Sequence, residues 1–99
     1  MIVGVVFTPS ARVQFLAAIK TIRRNNETAA RRFRQTAEKT LRRLSRFPNS
    51  GAGILEFPEL PYRETYIKPY RFFYRVREDN VWIVAIWHAA QLADKPEDK

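Results

Sequence analysis

A basic set interleaved with hydroxyl-bearing rings stands out in the second half of the chain. Arg63, Lys68, Arg71, Arg75 and Arg77 are threaded among Tyr62, Tyr66, Tyr70 and Tyr74, with His88 following. Arginine and lysine can hold a phosphodiester and stabilise charge that develops in a transition state, while tyrosine or histidine can move a proton or stack a base. Together these residue types suffice for metal-free cleavage of RNA. The plainer reading has the tyrosines filling a core with their hydroxyls at its edge and the arginines forming a solvated strand face. His88, at the end of an apolar run, is as well placed for a structural hydrogen bond as for chemistry.

Other chemistries are excluded by what the chain lacks. His88 is the one histidine, there is no cysteine, and the carboxylates are scattered, so no metal-ligand spacing exists and no metal or cofactor is expected. The three glycines, Gly4, Gly51 and Gly53, make neither a phosphate loop nor a dinucleotide fingerprint. One histidine and three serines give no Ser-His-Asp arrangement to argue from. Trp87, with the apolar parts of the loop before Tyr62, suggests either a hydrophobic groove for an amphipathic partner helix or ordinary core packing.

The candidate residues must be positioned by strands. Tyr70, Phe72, Tyr74 and Val76 share one face of a period-2 segment, and Arg71, Phe73, Arg75 and Arg77 share the other. Arg77-Glu78-Asp79-Asn80 turns the chain. Val81 to Trp87 follows, apolar on both faces, with Val81, Ile83, Ala85 and Trp87 expected on one and Trp82, Val84 and Ile86, in register with His88, on the other. Arg63 to Lys68 is a further strand, and Pro69 ends it or marks a bulge or edge.

Ile2 to Phe7 is a short β-branched run that reads as a first strand buried on both faces. Thr8 can cap a helix with Pro9 at its first position, and Ala11, Phe15, Leu16, Ile19 and Ile22 fall on one side. Asn26 caps a second helix in which Ala30, Phe33, Ala37, Leu41 and Leu44 form the apolar stripe and the remaining surface is basic to Arg46. So short a connection makes the two helices an antiparallel hairpin. Phe47 to Pro61, rich in proline and glycine, is a long loop with a short irregular strand at Ile54 to Phe57. The resulting class is α+β: an antiparallel-rich sheet of about four strands in the order β-α-α-β-β-β, with the helical hairpin on one face and the other face open to a partner.

Ninety-nine residues make a single domain over 1–99, with a frayed tail from about 93. A net charge of +8 attracts polyanions, either nucleic acid or an acidic protein. The N-terminal run lacks the form of a signal peptide, and no apolar stretch approaches the ~20 residues of a membrane span. A cytoplasmic protein with no membrane partner is expected.

The order of elements, the segment TPSARVQFLAAI after the first strand, the Pro/Gly loop and above all YIKPYRFFYRVREDNVWIVAIWHAAQ resemble the ParE/RelE superfamily of toxins from bacterial toxin–antitoxin modules. The most specific part is Tyr70-Arg71-x-x-Tyr74-Arg75-Val76, a short acidic turn, a hydrophobic strand and then His88-x-x-Gln91. RelE and YoeB branches are similar to ribosome-dependent mRNA endoribonucleases, and that resemblance implies Lys68, Arg71, Arg75 and His88 as the cleaving set. The chain departs from the YoeB pattern at the end of the last strand, where Ala89 and Ala90 stand in place of a His-Tyr terminus. WHAAQ resembles the ParE-like branch instead. This implies a non-enzymatic inhibitor of DNA gyrase, neutralised by an acidic ParD-like antitoxin, that meets DNA only indirectly through the antitoxin. Its implied target or partner contacts are Arg63, Arg71, Arg75, Trp87, His88 and Gln91.

Overall fold

Thr8 opens the first helix as the spacing predicts. Its hydroxyl accepts from the Ala11 amide at 3.2 Å, and Pro9 follows where no N–H is needed. The computed structural model describes residues 4–91 and 96. In these, β1 (Gly4–Phe7) leads into α1 (Pro9–Asn25) and α2 (Glu27–Arg46), followed by β2 (Ala52–Gly53), β3 (Arg63–Ile67), β4 (Tyr70–Arg77) and β5 (Asn80–His88). Asn26 joins the helices within one residue: it closes α1 with its own N–H and caps α2 by accepting from Ala29 at 3.0 Å. Ile2 and Val3 of the expected first strand, and the expected tail, lie outside the described residues.

The sheet has five strands in the order β1-β5-β4-β3-β2. The expectation of about four mainly antiparallel strands is therefore corrected in two ways. β1 pairs parallel with β5 from Gly4↔Asn80 to Phe7↔Ile83, and the long loop contributes its short strand at Ala52–Gly53 rather than at Ile54 to Phe57. A parallel β1 follows from the helical hairpin, which carries the chain across one face before it returns. β1 is also an edge strand, so none of its residues is fully buried, against the expectation of burial on both faces.

β4 keeps its alternation, but β5 does not. Phe73 pairs with Ala85 and Tyr74 with Ile83, so Val84 is an extra residue bulged out of the ladder. The bulge shifts the register by one residue. Val81, Ile83 and Ile86 face the helices, and Val84, Ala85, Trp82 and Trp87 face away. Ala85 and Trp87 thus lie opposite to the face that strict alternation assigned them, and Ile86 and His88 opposite to Trp82 and Val84.

The helix-side core is an aromatic cluster. Phe15 and Phe33 both pack on Phe72, with ring centroids 5.9 and 6.3 Å away, and Phe7 and Tyr70 extend it at either end. Leu16, expected on the buried stripe of α1, is 57% exposed. At 100° per residue it lies on the flank with Val13, beyond reach of the sheet. The opposite face is covered by the long loop rather than left open: Ile54 is buried against Phe73, Val84 and Ala85, with Phe57 and Tyr62 packed around them. A tyrosine fastens that loop. The Tyr74 hydroxyl donates to the Pro48 carbonyl and accepts from the Gly51 amide, each at 2.9 Å. A Cβ at Gly51 would stand 2.6 Å from the Glu64 carbonyl oxygen, which is why only glycine approaches so closely.

Candidate interaction surface

The basic residues of β3 and β4 are engaged inside the molecule. Arg71 projects from β4 on the face away from the helices and meets two carboxylates. Its Nη1 and Nη2 each bond a Glu56 oxygen at 2.8 Å, and its Nε and Nη2 bond Glu64 Oε2 at 2.9 and 2.6 Å. Its guanidinium also lies 5.0 Å from the centroid of the Phe73 ring. The hydrogen bonds to Arg71 pull the Glu56 carboxyl down from 4.5 to about 2, and the two glutamates hold the guanidinium above its ordinary range. Arg75 lies over the Tyr62 ring at 5.6 Å and Arg77 over Trp82 at 5.1 Å. Arg63 donates to the Gly51 carbonyl at 2.8 Å, tying β3 to the loop.

His88 and Gln91 form a clasp at the end of β5. The His88 amide donates to Gln91 Oε1 at 3.0 Å, the Gln91 amide donates to the His88 carbonyl at 2.9 Å, and His88 Nδ1 accepts from the Ala90 amide at 3.0 Å. An accepting Nδ1 leaves the proton of the neutral ring on Nε2. The imidazole packs edge-on against Tyr70, its cross-strand partner, with centroids 5.3 Å apart. Gln14 of α1 does similar work one step earlier. β1 ends opposite Ile83, and Gln14 Oε1 accepts from the Ile86 amide at 2.8 Å, covering the edge that β1 leaves open.

The four residues considered for RNA cleavage are not brought together. Arg71 and Arg75 face the loop side, whereas His88 lies on the helix side with Tyr70. Lys68 sits in the two-residue turn between β3 and β4, whose Lys68-Pro69 bond is cis, and points toward the helices. Trp87 packs half-buried against the second cluster, as its core reading requires. Tyr74, fully buried and held by the loop backbone, has its hydroxyl pushed up by desolvation and is unsuited to proton transfer near neutral pH.

Lys68 instead lines a hollow of about 500 Å³ that the sequence did not reveal. Ile22, Ala29, Phe33 and Pro69 give it apolar walls, and Arg32 and Lys68 stand at its rim with Thr36. Its walls come from the adjoining ends of α1 and α2 and from the β3–β4 turn, which is distant in sequence; the one local signal was that Phe33 of the buried stripe is followed by a basic surface. The hollow is shaped to take an apolar side chain whose neighbours are acidic. Among the described residues no helix is long and apolar enough to cross a membrane, and no cluster of metal-ligating side chains occurs.

Comparison with known proteins agrees with this architecture. A solved structure described as "Chromosomal ParDE TA system from P. aeruginosa" superposes with a TM-score of 0.70 at 20% identity, covering 88% of this chain and 96% of that one. No curated protein matches the sequence. The family model described as "ParE toxin of type II toxin-antitoxin system, parDE" matches residues 5–93, nearly the whole chain. The chain belongs to the ParE toxin family of type II toxin–antitoxin systems.

Proposed function

We propose that the protein acts by binding and inhibiting DNA gyrase, and that a ParD-like acidic antitoxin neutralises it. The observation that carries a binding rather than a cleaving role is the division of the basic residues. Arg71 spends its guanidinium donors on Glu56 and Glu64, and His88 lies on the opposite side of the sheet. A phosphodiester would have to displace two bonded carboxylates to reach Arg71. The rim cations and apolar walls of the hollow at Phe33 suit an acidic amphipathic segment, which supports the antitoxin assignment.

A supercoiling assay tests the target. Purified protein should block gyrase or trap cleaved DNA, and the antitoxin should relieve this. Folded protein that leaves gyrase untouched at high excess, yet cuts mRNA on ribosomes, would replace this reading with the endoribonuclease one. In that case Arg71→Ala should abolish cutting without unfolding the chain.

A further inference from the structure

With the arginines of β3 and β4 engaged internally, the charge available to a partner lies on the helices. α2 turns six arginines and one lysine outward between Arg31 and Arg46, against two glutamates in the whole helix. Among the described residues none of these cations forms an ion pair. At the C-terminal end of α2, Lys39, Arg42, Arg43 and Arg46 surround Phe47 in an open hollow of about 310 Å³. Phe47 is 60% exposed although a core aromatic cluster lies within the same domain.

An exposed ring among four cations is the combination that holds an unpaired base and its phosphates. The ring offers a stacking face to any base, and guanidinium forks take phosphodiester oxygens bidentately. An acidic peptide would satisfy the cations but leave Phe47 without a stacking partner. The hollow suited to protein side chains is elsewhere, at Phe33 and Pro69. A duplex keeps its base faces inside the stack, out of reach of a ring on a helix end.

We propose that the C-terminal half of α2, with Phe47 as a stacking platform, binds single-stranded nucleic acid directly and without sequence preference. This goes beyond the gyrase reading, does not depend on it, and departs from the expectation that DNA is met only through the antitoxin.

Fluorescence anisotropy of a labelled oligothymidylate of about twelve nucleotides, titrated with the whole protein, tests it. If the four cations each meet one phosphate, log K should fall against log salt with a slope of about −3. Arg42→Gln with Arg46→Gln should make that slope shallower by about 1.4. Phe47→Ala should weaken binding about tenfold at unchanged slope, and Phe47→Tyr should restore it. The altered side chains are exposed, and melting temperatures measured alongside confirm folding. The proposal is overturned if no binding occurs, or if Phe47→Ala binds as tightly as the parent. It is overturned equally if a hairpin duplex competes as well as the single strand. Displacement by polyglutamate that is identical for the parent and for Phe47→Ala would assign the face to acidic proteins, and overturns it too.

Discussion

Arg71 shows how a residue chosen for its chemistry is spent on structure. Its bidentate pair with Glu56 fastens the long loop to β4, its second pair with Glu64 ties β3 to β4, and its side chain is only 15% exposed. A lysine there cannot reproduce the planar fork. Arg71→Lys should therefore lower stability by about 1–2 kcal/mol in urea denaturation, and Arg71→Ala by more, because two carboxylates then face each other without a cation. The same pair sets a pH dependence. The Glu56 carboxyl is lowered from 4.5 to about 2 on folding, so the unfolded chain takes up its proton first as pH falls. The stabilisation is complete above about 4.5 and lost on approach to about 2. With Glu56 38% exposed, screening limits it to the order of 1 kcal/mol. The stability difference between the parent and Glu56→Gln should shrink over that window and vanish at its lower end. Tyr74→Phe is a separate test of the loop: it orphans the Pro48 carbonyl and the Gly51 amide and should cost about 1–2 kcal/mol. The types and spacing of these arginines and tyrosines were legible in the sequence. Their partners were not, because Glu56, Gly51 and Pro48 belong to a loop with no periodicity that could place it.

At the scale of elements, the helices were readable from local rules: caps at Thr8 and Asn26 and an apolar stripe in α2 that all proves buried. The bulge at Val84 was not, since a run apolar on both faces keeps its appearance under a one-residue slip. The hairpin preceding it carries a second local irregularity. Glu78 and Asp79 both have positive φ, 53° and 62°, in a two-residue loop between Arg77 and Asn80. That is the type I′ geometry, which Asn, Asp and Gly adopt most readily and a residue such as Glu78 adopts at a cost of about 1–2 kcal/mol. Replacing Glu78-Asp79 by Asn-Gly should therefore raise stability by about 1 kcal/mol, visible as a higher urea midpoint with unchanged slope. A neutral or negative result would mean that Glu78 or Asp79 makes a compensating interaction in the folded protein.

For the whole molecule, a +8 charge predicts steered association with an acidic partner, but steering alone does not say where the partner lands. Two pairs of cations on the helical side separate these effects. Arg32 and Lys68 stand at the rim of the apolar hollow, whereas Arg42 and Arg46 flank Phe47 at the far end of α2. Arg32 and Arg46 are about 21 Å apart along the helix axis, more than two Debye lengths at physiological salt. Reversing either pair to glutamate changes the net charge equally. If the antitoxin's acidic segment docks at the hollow, the Arg32→Glu, Lys68→Glu variant should associate several-fold more slowly at about 0.15 M salt. The Arg42→Glu, Arg46→Glu variant should be affected much less, and the gap should close as salt rises toward about 1 M. Stopped-flow association at several salt concentrations measures this. Equal slowing by both pairs would mean that the antitoxin feels the helical face as a whole and that the hollow does not select its landing point.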